Sequence, residues 1–291
     1  MSGCRLCPRS CGIDRSRTPG YCGVTSTLRV ARAVLHHWEE PCISGERGSG
    51  TVFFSGCPLR CIFCQNHEIS THSLGREITT ARLSEIFHEL AEAGAHNINL
   101  VSPTQYTPQI LEAMEMGMPD LPVVWNTGGY EKVDTLRTLA GRVDIYLPDF
   151  KYAFSDTAAR YSCAPDYPEV ALAAIGEMVS QTGKPQFGED GMLKRGVILR
   201  HLVLPGHRKE SIEIIRRLAA TFSPDDILLS IMSQYTPYEG CELPPELRRR
   251  VCSYEYDSVV EAAVDAGFGG FMQDRRSAKE EYTPDWDFSG V

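Results

Sequence analysis

The chain has 291 residues, enough for one large barrel or two ordinary domains and for a substantial buried core. It is 42% hydrophobic and 23% charged, an ordinary globular balance, and its net charge of -9 argues against a general binder of nucleic acid or anionic membrane, both of which attract basic surfaces. No uninterrupted apolar run is long enough to span a membrane, and the N-terminus MSGCRLCPRSCG lacks the apolar core of a secretion signal, so the expected location is the cytoplasm.

In a reducing compartment the 11 cysteines read as metal ligands rather than disulfides. Residues 1–45 form a Cys-rich metal-binding segment ahead of a barrel domain over 46–291. Cys4, Cys7, Cys11 and Cys22 are spaced C-x2-C-x3-C-x10-C among prolines and glycines. Four thiols in so turn-rich a segment suit tetrahedral zinc or an auxiliary Fe–S cluster, and the spacing leaves that choice open. Few apolar residues accompany them, so bound metal would supply the folding free energy; the other reading is a frayed tail with reactive thiols. Cys42 stands apart, as a free thiol or a cluster neighbour.

From residue 51 strand-like and helix-like runs alternate. Strands are predicted over 51–54, 97–101, 122–125, 143–147, 197–204 and 226–232. Helices are predicted over 79–93, 107–116, 131–140, 167–181, 209–221 and 245–266. In the first helix Leu83, Ile86, Phe87 and Leu90 fall at helical spacing and Gly94 ends it. The alternation implies parallel βαβ units, closing into a partial, open TIM-like barrel of six units: an α/β fold. The glycine-rich stretch 183–194 is the expected mobile loop.

The first strand runs straight into Cys57, Cys61 and Cys64, spaced C-x3-C-x2-C. An ordinary [4Fe–4S] site uses four thiolates, so three in one loop suggest a cube with one iron left open to a small molecule. A zinc knuckle is the competing reading. Functional groups of β/α barrels sit at the C-terminal strand ends. There the chain offers Ser102-Pro103-Thr104-Gln105, Asn126-Thr127-Gly128-Gly129, Asp149-Phe150-Lys151, Arg200-His201 and Gln234-Tyr235. They make a ring of polar groups over one barrel mouth. Gly128 and Gly129 allow close backbone approach to a ligand.

The triad, with Phe63 just before its last cysteine, resembles the radical S-adenosylmethionine (SAM) superfamily. The Asn-Thr-Gly-Gly turn, the Asp-Phe-Lys tripeptide and the strings EEPCISGERGSGTVFFSGC and CIFCQNHEIS are similar to its pyruvate formate-lyase activating-enzyme-like branch. The resemblance implies the partial (βα)6 barrel of radical SAM type and a [4Fe–4S] cluster on Cys57, Cys61 and Cys64. It implies SAM on the open iron, reductive cleavage to a 5′-deoxyadenosyl radical, and hydrogen abstraction from a substrate such as a glycine of a glycyl-radical enzyme. A flavodoxin or ferredoxin would supply the electron.

For SAM the expected contacts are Phe63 on adenine, Lys151 on the carboxylate, Asp149 on a hydroxyl or the ammonium group, and Asn126, Thr127, Gly128, Gly129, Arg200 and His201 around the mouth; a core histidine on the strand is the competing reading of His201. Two departures stand out. The branch often has Gly-Gly-Glu after the second strand, where this chain has Ser102-Pro103-Thr104, so Thr104 or a carbonyl would replace it. The extra cysteines precede the barrel instead of following Cys64. Radical SAM modification of another peptide or small molecule, and a non-catalytic Fe–S or zinc protein, are the competing functions.

Overall fold

A computed structural model describes residues 3–238, 242–273 and 286–291. In chain order it runs β1 (Leu28–His36), α1 (Pro41–Ser44), β2 (Ser49–Phe54), α2 (His67–Ser70), β3 (Arg76–Ile78), α3 (Thr80–Glu92) and β4 (Ile98–Val101). It continues with α4 (Thr107–Met116), β5 (Val123–Thr127), α5 (Val133–Arg137), β6 (Ile145–Pro148), α6 (Ser155–Ser162), α7 (Tyr167–Thr182) and β7 (Gln186–Phe187). Last come β8 (Leu193–Leu202), α8 (Arg208–Thr221), β9 (Leu228–Met232), α9 (Ser253–Asp265) and β10 (Gly270–Met272). Among the described residues no helix is long and apolar enough to cross a membrane.

The strands form one open sheet in the order β10-β9-β8-β6-β5-β4-β2-β1-β3, with β7 attached to β8. Every neighbouring pair from β2 through β10 along this path is parallel, which makes the α/β partial barrel. β2, β4, β5 and β6 are buried along their whole length, as strands covered on both faces must be. Helix α3 shows how local chemistry sets an element. The Thr79 hydroxyl accepts the Arg82 N–H at 3.0 Å as N-cap, while Leu83, Ile86, Phe87 and Leu90 turn to the core.

Strand alternation splits the core in two. Val124, Ile145, Leu147 and Ile198 point into the barrel, where α1 plugs it with Cys42 and Ile43. Their neighbours Trp125, Tyr146, Val197 and Leu199 face the helix layer. Cys42 is therefore a packed thiol inside the barrel, which burial pushes up to about 12.

Three expectations change. The segment 1–45 is not a unit apart: β1 lies inside it and pairs antiparallel with β2 and β3. Its pattern, Leu28, Val30, Ala31 and Ala33 buried with a register shift between Val30 and Arg32, is too irregular to stand out beside the cysteines. The stretch 183–194 carries β7 and a hairpin onto β8. The helical stretch 245–266 divides into a short 3-10 turn, Pro245–Arg248, and α9.

Candidate functional site

The Cys57–Cys64 loop leaves the C-terminal end of β2 and is pinned from three sides. Gly56, with φ +83°, brings the backbone so near the N-terminal unit that a Cβ there would meet the Cys22 carbonyl at 2.7 Å. The Gly56 N–H donates to the Ile69 carbonyl at 2.7 Å, the Cys57 N–H to that of Cys22 at 3.1 Å and the Ile62 N–H to that of Tyr161 at 2.9 Å.

Each sulfur of the triad accepts a hydrogen bond: Cys57 from the Leu59 N–H at 3.4 Å, Cys61 from the Ser162 hydroxyl at 3.0 Å, Cys64 from the Ser70 hydroxyl at 3.3 Å. Burial pushes the Cys57 thiol up to about 12 and raises Cys64, and the adjacent Cys61 adds to both. Buried, closely grouped thiols of this kind give up their protons to a bound cation, not to water.

The triad opens on a cavity of about 230 Å³. Phe63, Asn126, Thr127, Gly128, Asp149, Lys151, Arg200, Gln234 and Tyr235 line it. His36, Trp38, Glu39, Phe53 and Ser102 line it too. One wall is a chain of alternating charge. Arg200 bonds Asp149 Oδ1 at 3.1 Å, Glu39 Oε2 at 3.1 Å and Asn126 Oδ1 at 2.6 Å, and Lys151 Nζ meets Asp149 Oδ2. Burial works against each of these charges, but the partners outweigh it. Asp149 is held below the usual carboxylate range, and Lys151 above its ordinary value by Asp149 and by the Cys61 and Cys64 thiols. Lys151 thus brings a buried positive charge within reach of two triad sulfurs.

The turn after β5 needs its second glycine: Gly129 has φ +79°, and a Cβ there would lie 2.1 Å from the Asp149 carbonyl. The Tyr167 hydroxyl ties this turn to the next strand end, reaching the Gly128 and Asp149 carbonyls at 2.9 Å and accepting the Lys151 N–H at 3.0 Å.

Four expectations fall differently. His201 is not in the mouth: residues adjacent on a strand face opposite sides, so Arg200 points inward and His201 is buried against the Phe150 carbonyl, with burial lowering its pKa to about 4. Thr104 is buried and gives its hydroxyl to Glu131, as Thr127 does, so Ser102 reaches the cavity in its place. Both Asp149 oxygens are taken by cations. Phe63 is only 6% exposed, set edge-on among Tyr152, Tyr161 and Tyr235.

Glu39, Ser70 and Ser162 were missed by sequence reasoning. Glu39 comes from the loop after β1, and no local signal marked it beyond the acidic pair with Glu40. Ser162 follows the Ala158–Tyr161 face of the short helix α6, a periodicity that was there to find.

The four N-terminal cysteines also come together. Cys7 feels Cys4 and Cys22, Cys22 feels Cys4 and Cys11, and the Cys4 thiol bonds Cys11. Among the described residues no three Cys, His, Asp or Glu side chains converge as ligands of a single metal ion. A cubane asks for something else, since its thiolates bind separate irons.

The sequence profile of the radical SAM superfamily matches residues 51–219, from β2 through α8. The chain belongs to the radical SAM superfamily. This superfamily works with a [4Fe–4S] cluster and SAM and needs an electron donor, and the donor set fits: three thiols in one loop, with a lysine beside them. The chain is also similar to an uncharacterized protein of Methanocaldococcus jannaschii, 28% identical over 271 residues that span 90% of this chain and 75% of that one.

Two solved structures share the fold. A radical SAM methyltransferase from Sphaerobacter thermophilus matches with TM-score 0.54 at 17% identity, over 77% of this chain and 66% of that one. Methylornithine synthase matches with TM-score 0.52 at 14% identity, over 83% and 72%.

Proposed function

We propose that this radical SAM enzyme abstracts a hydrogen atom from a glycine Cα of a partner glycyl-radical enzyme, with Cys57, Cys61 and Cys64 as the ligands of its cluster. The observation that carries the site assignment is the triad itself: three sulfurs at one strand end, each with its own hydrogen-bond donor, facing the cavity beside Lys151. Bound there, the cluster and SAM supply one-electron cleavage of the sulfonium and a 5′-deoxyadenosyl radical. The chain's own residues bind, orient and exclude water.

Lys151 receives the SAM carboxylate, and Asp149 holds Lys151 and Arg200 in place instead of touching the ligand itself. Gly128 lines the cavity, and a Cβ there would meet the Leu59 side chain at 2.9 Å, so a glycine keeps room for the ligand beside Lys151. Phe63 closes the aromatic side, and Asn126 is kept in register by Glu39 and Arg200. Trp38, 61% exposed at the rim, and Gln234 meet the substrate. The similarity of the Asn126–Gly129 turn and the Asp149–Lys151 tripeptide to the activating-enzyme branch supports the glycine Cα as hydrogen donor. An enzyme of this kind works in the cytoplasm with a flavodoxin or ferredoxin as reductant.

The test is anaerobic reconstitution with iron and sulfide, reduction, and addition of SAM. 5′-Deoxyadenosine is expected from the native chain and none from Cys61→Ala. A backbone radical on a candidate glycyl-radical enzyme is expected only when the two proteins are mixed. Iron loading without the nucleoside under any reductant would sink the enzymatic reading; nucleoside without a partner radical would sink the substrate.

A further inference from the structure

The N-terminal unit is built onto the triad loop, not tethered to it. The Arg9 guanidinium donates to the carbonyls of Pro58 at 2.9 Å and Ser162 at 2.7 Å, and also to that of Cys163. The first lies in the triad loop; the second belongs to the residue whose hydroxyl holds Cys61. Arg15, buried, joins the carbonyls of Val24 and Thr25 in the unit to that of Gln105 in the barrel. Gln105 in turn donates to the Ser55 and Gly56 carbonyls at 2.9 Å, just ahead of Cys57. The two thiol groups are joined directly at Cys22 and Cys57, where the Cys22 carbonyl accepts the Cys57 N–H at 3.1 Å. From one sulfur to the other the route is covalent except for that one hydrogen bond.

We propose that Cys4, Cys7, Cys11 and Cys22 hold a second, fully ligated Fe–S cluster that passes electrons to the triad site through the Cys22–Cys57 peptide bridge. Four thiolates complete a cube with no open iron, which suits electron transfer and not substrate binding. Cys4, Cys7 and Cys11 are partly exposed, so a donor protein can approach. The charge around them fits an acidic donor. In a chain of net charge -9, residues 3–27 carry Arg5, Arg9, Arg15 and Arg17 against Asp14 alone; Arg15 is buried and Arg9 is tied to the triad loop, so Arg5 and Arg17 are the ones presented at the surface. The step is a single-electron exchange: a reduced low-potential carrier protein gives one electron to the N-terminal centre, that centre reduces the triad centre and is itself reoxidised, and no proton or bond changes hands.

The proposal rests on the triad assignment above, and the experiment separates the two. Three proteins are reconstituted anaerobically with iron and sulfide: the native chain, the triad variant Cys57→Ala/Cys61→Ala/Cys64→Ala, and Cys4→Ala/Cys11→Ala. Metal content, the electron paramagnetic resonance of the reduced state, and the rate of reduction by photoreduced flavodoxin, against dithionite, are measured without turnover. The triad variant is expected to keep one reducible cluster whose signal SAM does not alter. Cys4→Ala/Cys11→Ala is expected to keep the SAM-sensitive signal, with reduction by flavodoxin slowed by an order of magnitude and reduction by dithionite unchanged. Zinc in place of iron in the triad variant, or a native flavodoxin rate in Cys4→Ala/Cys11→Ala, would overturn it. Loss of the SAM-sensitive signal from the native chain would instead overturn the triad assignment, while the triad variant still reads the N-terminal centre by itself.

Discussion

The two thiol groups of this protein are close neighbours with opposite support. The triad loop sits on β2, buried from end to end, and its sulfurs draw donors from the loop, α2 and α6. The four-thiol unit has little apolar core of its own. It is held by local backbone bonds such as Cys4 N–H to the Ile13 carbonyl at 2.9 Å, and by arginines reaching into the barrel. A site carried by a finished fold keeps its geometry without its cofactor; a site carried by turns depends on what it binds. Removing metal should therefore loosen residues 3–27 in hydrogen exchange while the sheet stays protected.

The largest stability effect is expected where the barrel mouth stores charge. Asp149→Ala takes away the carboxylate paired with Lys151 and leaves Arg200 with Glu39 and the neighbouring Glu40. Breaking a buried ion network in this way costs about 3–5 kcal/mol, read as a lowered urea midpoint at unchanged slope. An unchanged midpoint would mean that the mouth is wetter than its burial indicates. The same variant should lose SAM affinity, because Lys151 loses its anchor.

Glu131 gives the next effect. Burial raises its carboxyl to about 7, against hydrogen bonds from Thr104 and Thr127 that favour the charged form. A raised acid pKa means that the folded state holds the proton more tightly than the unfolded one. The resulting stability is complete below about 4.5, falls as pH rises, and is gone above about 7. Its size is about 3 kcal/mol. In Glu131→Gln this pH dependence should vanish, with the variant matching the native chain near the acid end and exceeding it at alkaline pH in thermal melts.

Arg9→Ala tests the clamp that joins the two regions. It leaves the Ser162 and Cys163 carbonyls without their charged donor, at about 1–3 kcal/mol. The effect should be local, with faster exchange of the Cys57 amide and little change across α3 and α4.

These effects also mark what could be read from the sequence. That Cys57, Cys61, Cys64, Gly128, Asp149 and Lys151 gather at one cavity was legible, because the loops that carry them leave strands whose pattern is plain. Arg200 and His201 were grouped at one strand end, but the two-residue period of a strand puts only Arg200 in the mouth, and for His201 the competing reading, a core histidine, is the one that holds. Glu39 and Ser162 were hidden for a different reason. They come from segments with weak signals of their own and acquire a role only when the sheet closes around the mouth. Strand β1 was lost to the cysteines beside it and to a register shift between Val30 and Arg32, which breaks its alternation and leaves the adjacent Val30 and Ala31 both buried.

The smallest effect is the most local. Ser162→Ala removes the hydroxyl that donates to Cys61 at 3.0 Å. It also removes one partner of the Tyr152 hydroxyl, 2.7 Å away, and leaves that hydroxyl with Cys61. The stability cost is about 1 kcal/mol, that of one net hydrogen bond. The clearer readout is redox. A donor to a cluster sulfur stabilises the more negative, reduced state, so its loss should lower the reduction potential of the triad centre and leave its iron content unchanged. Ser70→Ala, which removes the matching donor on Cys64, should shift the potential in the same direction. Neither substitution touches the four-thiol unit directly, so a shift confined to the SAM-sensitive signal would show that the two centres are tuned separately although they share a hydrogen bond.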